Sequence, residues 1–161
     1  MKKILLILMA MFAFGMQNAS AQDAPLKIIT NHPDFDVKVK RCAASGKSVI
    51  LDMVFTNKGD KDVIIEVIAD ADGWHTEVYD DEGNKYRGGI TAKVANGGYK
   101  GKITDYRLIT GIPVKVSFCI NNVSTTAENI AYFEGVIKCK QWGLPDKDKW
   151  LVIRNVPITR D

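Results

Sequence analysis

Residues 48–57 read Ser-Val-Ile-Leu-Asp-Met-Val-Phe-Thr-Asn, and this stretch decides the fold class. Val49, Leu51, Met53 and Phe55 recur at every second position, the period at which side chains of an extended chain share one face. Ile50 and Val54 make the opposite face partly apolar as well. The run ends in Asn57-Lys58-Gly59-Asp60-Lys61-Asp62, a stretch of turn formers. A strand followed by a turn is the unit from which the rest of the chain is built.

Upstream, Phe35, Val37 and Val39 alternate with Asp36, Lys38 and Lys40, giving a half-buried strand, and the turn of Ala43 to Lys47 separates the two. Downstream, Val63 to Ile68 is apolar almost throughout and predicts a central strand. Asp70 to Gly73 breaks the pattern, and Trp74 to Tyr79 resumes it. Asp80-Asp81-Glu82-Gly83-Asn84 forms a hairpin loop into Lys85-Tyr86-Arg87. Residues 88–104 are rich in Gly and Lys, with weak strands at Ile90 to Ala95 and Tyr99 to Ile103 around the turn Gly97-Gly98. Val114 to Ile120, Ile130 to Cys139 and Trp150 to Ile158 complete the set. Thr125-Thr126-Ala127-Glu128 matches a capping box and predicts a helical turn or two. Seven to nine short strands with almost no helix indicate an all-β, antiparallel β-sandwich.

The first residues give an address. Lys2 and Lys3 precede a thirteen-residue apolar run, Ile4 to Met16, and Ala19-Ser20-Ala21 supplies a cleavage site. This is the layout of a secretory signal peptide, and the run is shorter than the ~20 residues that span a bilayer. The expected organisation is a signal peptide at 1–21, a leader at 22–34 and a single domain at 35–161. The destination is the periplasm or the outside, with no membrane anchor in the mature chain. Of 22 basic and 19 acidic residues, cleavage removes Lys2 and Lys3, which leaves 20 against 19. That near balance, with the signs interspersed, argues against nucleic acid as a partner.

Ser48 to Gly59 resembles the second strand of telokin-like immunoglobulin-fold domains on bacterial exported proteins, in which a hydrophobic strand ends in an Asn-x-Gly turn. Val78 to Tyr86, reading V-Y-D-D-E-G-N-K-Y, is similar to that family's Asp-Gly hairpin followed by Lys-Tyr, and Leu108 to Ile120 to its Gly-Pro corner. The resemblance covers most of residues 35–158. It implies an immunoglobulin-like sandwich and carries no functional residues, because its motifs are turn and core patterns.

Cys42, Cys119 and Cys139 all survive cleavage, so in an oxidising compartment two can pair and one is left over. Alternation along Val114 to Ile120 puts Cys119 on the face of Lys115 and Ser117. Cys42 ends the first strand and Cys139 a late one, strands that often adjoin in such sandwiches, so the expected disulfide is Cys42–Cys139. No Cys or His spacing indicates a metal or a nucleophile, and no catalytic residue or cofactor is expected. The acidic residues Asp70, Asp72, Asp80, Asp81 and Glu82 are the one candidate Ca²⁺ cluster, against the simpler reading of solvated turns. Trp74, His75 and Tyr79, with Tyr99 in the Gly-rich segment, form a candidate contact surface, although core packing is the favoured role for Trp74 and Tyr86. The functional expectation is a non-enzymatic binding module of the bacterial cell envelope, recognising an envelope protein or a glycan through rim loops. The competing expectation is an enzyme or enzyme inhibitor with an unrecognised rim-loop site. A cleft lined by convergent polar groups separates small-ligand binding or catalysis from a flat protein-docking patch.

Overall fold

The structure is a computed structural model that describes residues 24–30, 32, 34–140 and 147–160. The expected signal peptide, residues 1–21, lies outside the described residues. The strands are β1 (Lys27–Thr30), β2 (Phe35–Ser45), β3 (Ser48–Asn57), β4 (Val63–Ile68), β5 (Asp70–Ala71), β6 (Trp74–His75), β7 (Glu77–Asp80), β8 (Lys85–Tyr86), β9 (Thr91–Val94), β10 (Lys102–Leu108), β11 (Pro113–Ile120), β12 (Asn129–Lys140), β13 (Lys147–Pro157) and β14 (Thr159–Arg160). The described residues contain no helix. The chain is all-β.

One sheet has the order β1-β13-β12-β4-β10, with β7 and β8 continuing beside β12. The other has the order β14-β2-β3-β11-β9. Pairing is antiparallel throughout, except that β14 runs parallel to β2. The alternating residues of the opening stretch do what their period predicts, since Val49, Leu51, Met53 and Phe55 are all fully buried. The two sheets meet across a shared core. Phe118 of β11 and Phe133 of β12 touch edge to face there, with ring centroids 5.0 Å apart. A Cβ on Gly135 would lie 2.9 Å from the Phe133 ring, so this position of β12 is closed to any side chain.

β12 is the spine of the larger sheet. β4 pairs with its Val136–Lys140 half and β7 with its Ile130–Glu134 half. Between them the chain leaves the sheet as the small β5–β6 hairpin, held where Thr76 Oγ1 donates to the Ile68 carbonyl (3.1 Å). Ile68 and Val136, partners across the strands, are fully buried yet lie outside the main core. The Trp74 ring sits on that outward side, with Lys138 Nζ 4.6 Å from its centroid.

Three expectations need correction. The leader contributes a strand, because Lys27–Thr30 pairs with β13 in register from Lys27↔Arg154 to Thr30↔Leu151. The capping-box segment forms no helical turn. It is held instead against the 80–82 hairpin, since Glu128 N–H donates to the Asp81 carboxylate (3.2 Å) and the Thr126 hydroxyl donates to Glu82 (2.5 Å), while Thr126 N–H donates to Ser124 Oγ (3.3 Å).

The third concerns the expected Cys42–Cys139 disulfide. All three cysteines are thiols. Cys42 lies on β2 and Cys139 on β12, in different sheets and at opposite ends. Cys42 is close enough to Arg160 for that charge to act on its thiol, and Arg160 binds the Ala127 carbonyl just before β12 begins. Cys139 lies ten residues beyond Asn129 on that strand, roughly 30 Å at the rise of an extended chain. A disulfide needs Cα atoms within about 7 Å. Burial is the main influence on the Cys42 thiol and pushes it up to about 12, which makes it inert.

β14 is held by one side chain. The Arg160 guanidinium donates to the carbonyls of Ser124 (2.7 Å), Ala127 (3.0 and 3.2 Å) and Gly46 (3.4 Å). Arg160→Ala leaves three backbone carbonyls without this donor and is expected to cost about 2 kcal/mol. The urea midpoint reads this directly, and an unchanged midpoint contradicts the clamp. Arg160→Lys recovers only part of the loss, because an ammonium lacks the fork.

Candidate functional site

The last strand of each sheet on one flank, β9 and β10, leaves a seam, and the Gly-rich segment bridges it. Ala95 takes a left-handed conformation (φ 51°), and Gly97 N–H turns back to the Val94 carbonyl (3.0 Å). Ala92 and Lys100 then exchange two backbone hydrogen bonds, each 2.8 Å, so the far side of the loop runs beside β9. The Gly101 carbonyl accepts from Ala69 N–H (2.8 Å) and Asp70 N–H (2.9 Å). A Cβ at Gly101 would lie 2.5 Å from the Asp70 carbonyl oxygen, so this anchor needs glycine. β10 bulges between Ile103 and Tyr106, with Asp105 left-handed (φ 56°).

The result is a cleft of about 350 Å³, within the lower range of small-ligand sites. Val94, Ala95 and Ile103 supply apolar surface, while Asn96, Lys100, Lys102, Thr104 and Tyr106 supply polar groups. No acidic side chain among the described residues lines it. Lys102 Nζ lies 2.7 Å from Asp72 and 3.8 Å from Glu66. Lys100 has no ion-pair partner among the described residues.

Tyr99 belongs to the same loop. It is 38 % exposed, with Lys93 Nζ 4.8 Å from its ring centroid. Its hydroxyl is raised above the usual phenol range by burial, then by Cys119 and Asp52, with Arg41 and Ser117 acting the other way. Those groups form a polar row across the outward face of the five-stranded sheet. Asp52 is 4 % exposed and accepts from Ser117 Oγ (2.6 Å), while Lys115 Nζ (2.9 Å) and Arg41 Nη2 (3.2 Å) neutralise it. Burial works against its charge, but the Ser117 and Lys115 hydrogen bonds and the two cations win and hold its carboxyl below the usual range. A carboxylate so held is a poor base, so the Ser117–Asp52 contact does not activate the serine. The sequence carries one local signal for this group, a lone Asp between Ile50 and Val54 in an apolar strand.

The four residues expected to form one contact surface fall in two places. Trp74, His75 and Tyr79 stand with the seven-stranded sheet, and Tyr99 stands with the five-stranded one. His75 Nδ1 lies 2.6 Å from Asp70 Oδ1. Tyr79 meets Tyr132 edge to face (6.0 Å), with Lys85 Nζ 5.3 Å from the Tyr79 ring and Arg154 4.9 Å from the Tyr132 ring. The cations occupy this aromatic row, which reads as a cross-strand ladder. Neither Trp74 nor Tyr79 packs in the main core, whereas Tyr86 does pack against it. His32, the other histidine, stacks on Phe35 at 3.7 Å.

The acidic group likewise divides. Asp70 accepts from Gly89 N–H (2.7 Å) and faces His75, and Asp72 pairs with Lys102. Asp80 to Glu82 are bound within their own hairpin and to residues 126–129. Among the described residues no three His, Cys, Asp or Glu side chains are placed to hold a metal ion. No helix of the described residues is long and apolar enough to cross a membrane.

No family model matches the chain, and no curated protein matches it. A solved structure described as "AvmM Catalyzes Macrocyclization in Alchivemycin A Biosynthesis" superposes with a TM-score of 0.35 at 9 % identity, covering 82 % of this chain and 84 % of that one. A likeness of that size carries no argument about fold or activity.

Proposed function

We propose that this chain is an exported, non-enzymatic binding module of the bacterial cell envelope, built as an immunoglobulin-like sandwich of the telokin-like kind, with its ligand in the seam cleft. The cleft carries the reading. It is walled by the Gly-rich rim loop, lined by mixed apolar and polar groups, and held open by anchors at Lys100 and Gly101. Two antiparallel sheets over one core support the sandwich, and the sequence of residues 1–21 supports export. A binding role is favoured over catalysis because the histidines and Ser117 lie outside the cleft lining, and the Asp52 carboxylate beside Ser117 is held by Lys115 and Arg41. Rigid walls with a loop-built site suit recognition.

The test is capture from envelope extracts. A Cβ at Gly98 meets nothing within 4 Å, so Gly98→Trp adds bulk at the cleft wall without a backbone clash. The wild-type protein is expected to retain an extract component that Gly98→Trp does not, read by native mass spectrometry. Equal retention by both proteins, or none by either, overturns the reading.

A further inference from the structure

We infer that the cleft takes a small amphiphilic anion, a carboxylate or phosphate carried on an apolar body, with Lys100 as its headgroup anchor. This rests on the reading of the cleft as the binding site and adds the chemistry of its ligand. The lining divides by character: Val94, Ala95 and Ile103 offer apolar surface, whereas every ionisable side chain that carries charge at neutral pH is a lysine. Lys102 is already shared between Asp72 and Glu66, which leaves its charge largely compensated. Lys100 is exposed at the mouth of the cleft and has no ion-pair partner among the described residues, so its positive charge is available to an anion. Asn96, Thr104 and Tyr106 add neutral groups that donate hydrogen bonds. An anionic ligand finds complementary partners here and no repelling carboxylate in the lining. A cationic ligand meets the reverse.

The wall that carries Lys100 is also fixed in advance. The Ala92–Lys100 bridge holds its backbone, Lys93 Nζ lies 4.8 Å from the Tyr99 ring centroid beside it, and Gly101 abuts Asp70. Binding therefore orders little of the protein, which favours a small ligand of modest contact area.

The experiment is an NMR titration of the purified ¹⁵N-labelled protein with sodium octanoate, octyl phosphate and neutral octyl glucoside, which share one tail length. At least one anion is expected to shift amides within residues 94–106 and to bind tenfold or more tightly than the glucoside. Lys100→Glu is expected to weaken that binding at least tenfold, and Lys100→Arg to restore most of it. Octanoate alone assigns the carboxylate, and octyl phosphate alone the phosphate. Glucoside binding as tightly as the anions, or unaltered affinity in Lys100→Glu, overturns the inference while the cleft reading stands. If none of the three perturbs the cleft the inference falls, and extract capture against Gly98→Trp decides separately whether the cleft reading falls with it.

Discussion

Phe118→Ala and Phe133→Ala are each expected to destabilise the fold by about 4 kcal/mol, the cost of emptying a fully buried aromatic site. Both rings have no exposed surface, and they come from opposite sheets, β11 and β12. Each truncation therefore removes part of what joins the layers, and neither strand backbone can close the gap while its own ladder holds. The edge-to-face contact, at 5.0 Å between centroids and 74° between planes, adds a coupling of about 1 kcal/mol beyond area burial. The double variant should accordingly lose less than the sum of the singles by that amount. Chemical denaturation of the four proteins closes the cycle. Strict additivity would mean that the rings do not meet across the core.

Asp80→Ala is expected to cost about 3 kcal/mol, since it breaks a buried network by removing the carboxylate at its centre. Asp80 is 2 % exposed. It accepts from Asn84 N–H (2.8 Å) and Nδ2 (2.9 Å), Glu82 N–H (3.0 Å) and the Tyr86 hydroxyl (2.6 Å). The Tyr86 oxygen in turn accepts from Ser124 N–H (3.0 Å), so the network ties the hairpin to the segment before β12. Burial raises the Asp80 carboxyl, but the hydrogen bonds from Tyr86, Asn84 and Glu82 outweigh it and leave it below the usual range. With the folded value depressed, the contribution is present above the unfolded pKa of about 3.9 and is lost as pH falls through the folded one. Wild-type stability should thus decline below about pH 4, and Asp80→Ala should decline less over the same window. Parallel slopes for the two proteins would remove Asp80 from the acid response.

The strands of the core were legible because period two and apolar runs are local properties. Ser48–Asn57 and Val63–Ile68 form at the residues where alternation and continuity place them. What the sequence hid depends on distance along the chain. Lys27–Thr30 is too short to show a period, and only its partner β13, more than a hundred residues away, makes it a strand. The cysteine pairing failed for a similar reason. It assumed that first and late strands adjoin, whereas β2 is followed in its sheet by β14 and β12 belongs to the other sheet. The cleft was half visible. The Gly-rich segment stood out as a rim loop, but its gathering of Lys100, Lys102, Thr104 and Tyr106 around Val94 requires two sheet edges to face each other. Tyr99 is exposed, and its placement apart from Trp74 and Tyr79 is set by topology alone.

The parallel closure of β14 on β2 bears on how the chain reaches this state. β2 and β3 form a hairpin that is complete once residue 57 exists, yet the edge of that hairpin receives its last neighbour only from Thr159 and Arg160. β1 likewise waits for β13. Pairings of such long sequence separation carry a large loop-closure cost before any contact rewards it, and they slow folding. A chain emerging from its amino end therefore holds an open edge on each sheet until β13 and β14 have emerged. The finished barrier to pairing with a neighbour is supplied by strands more than a hundred residues from the edges they cover.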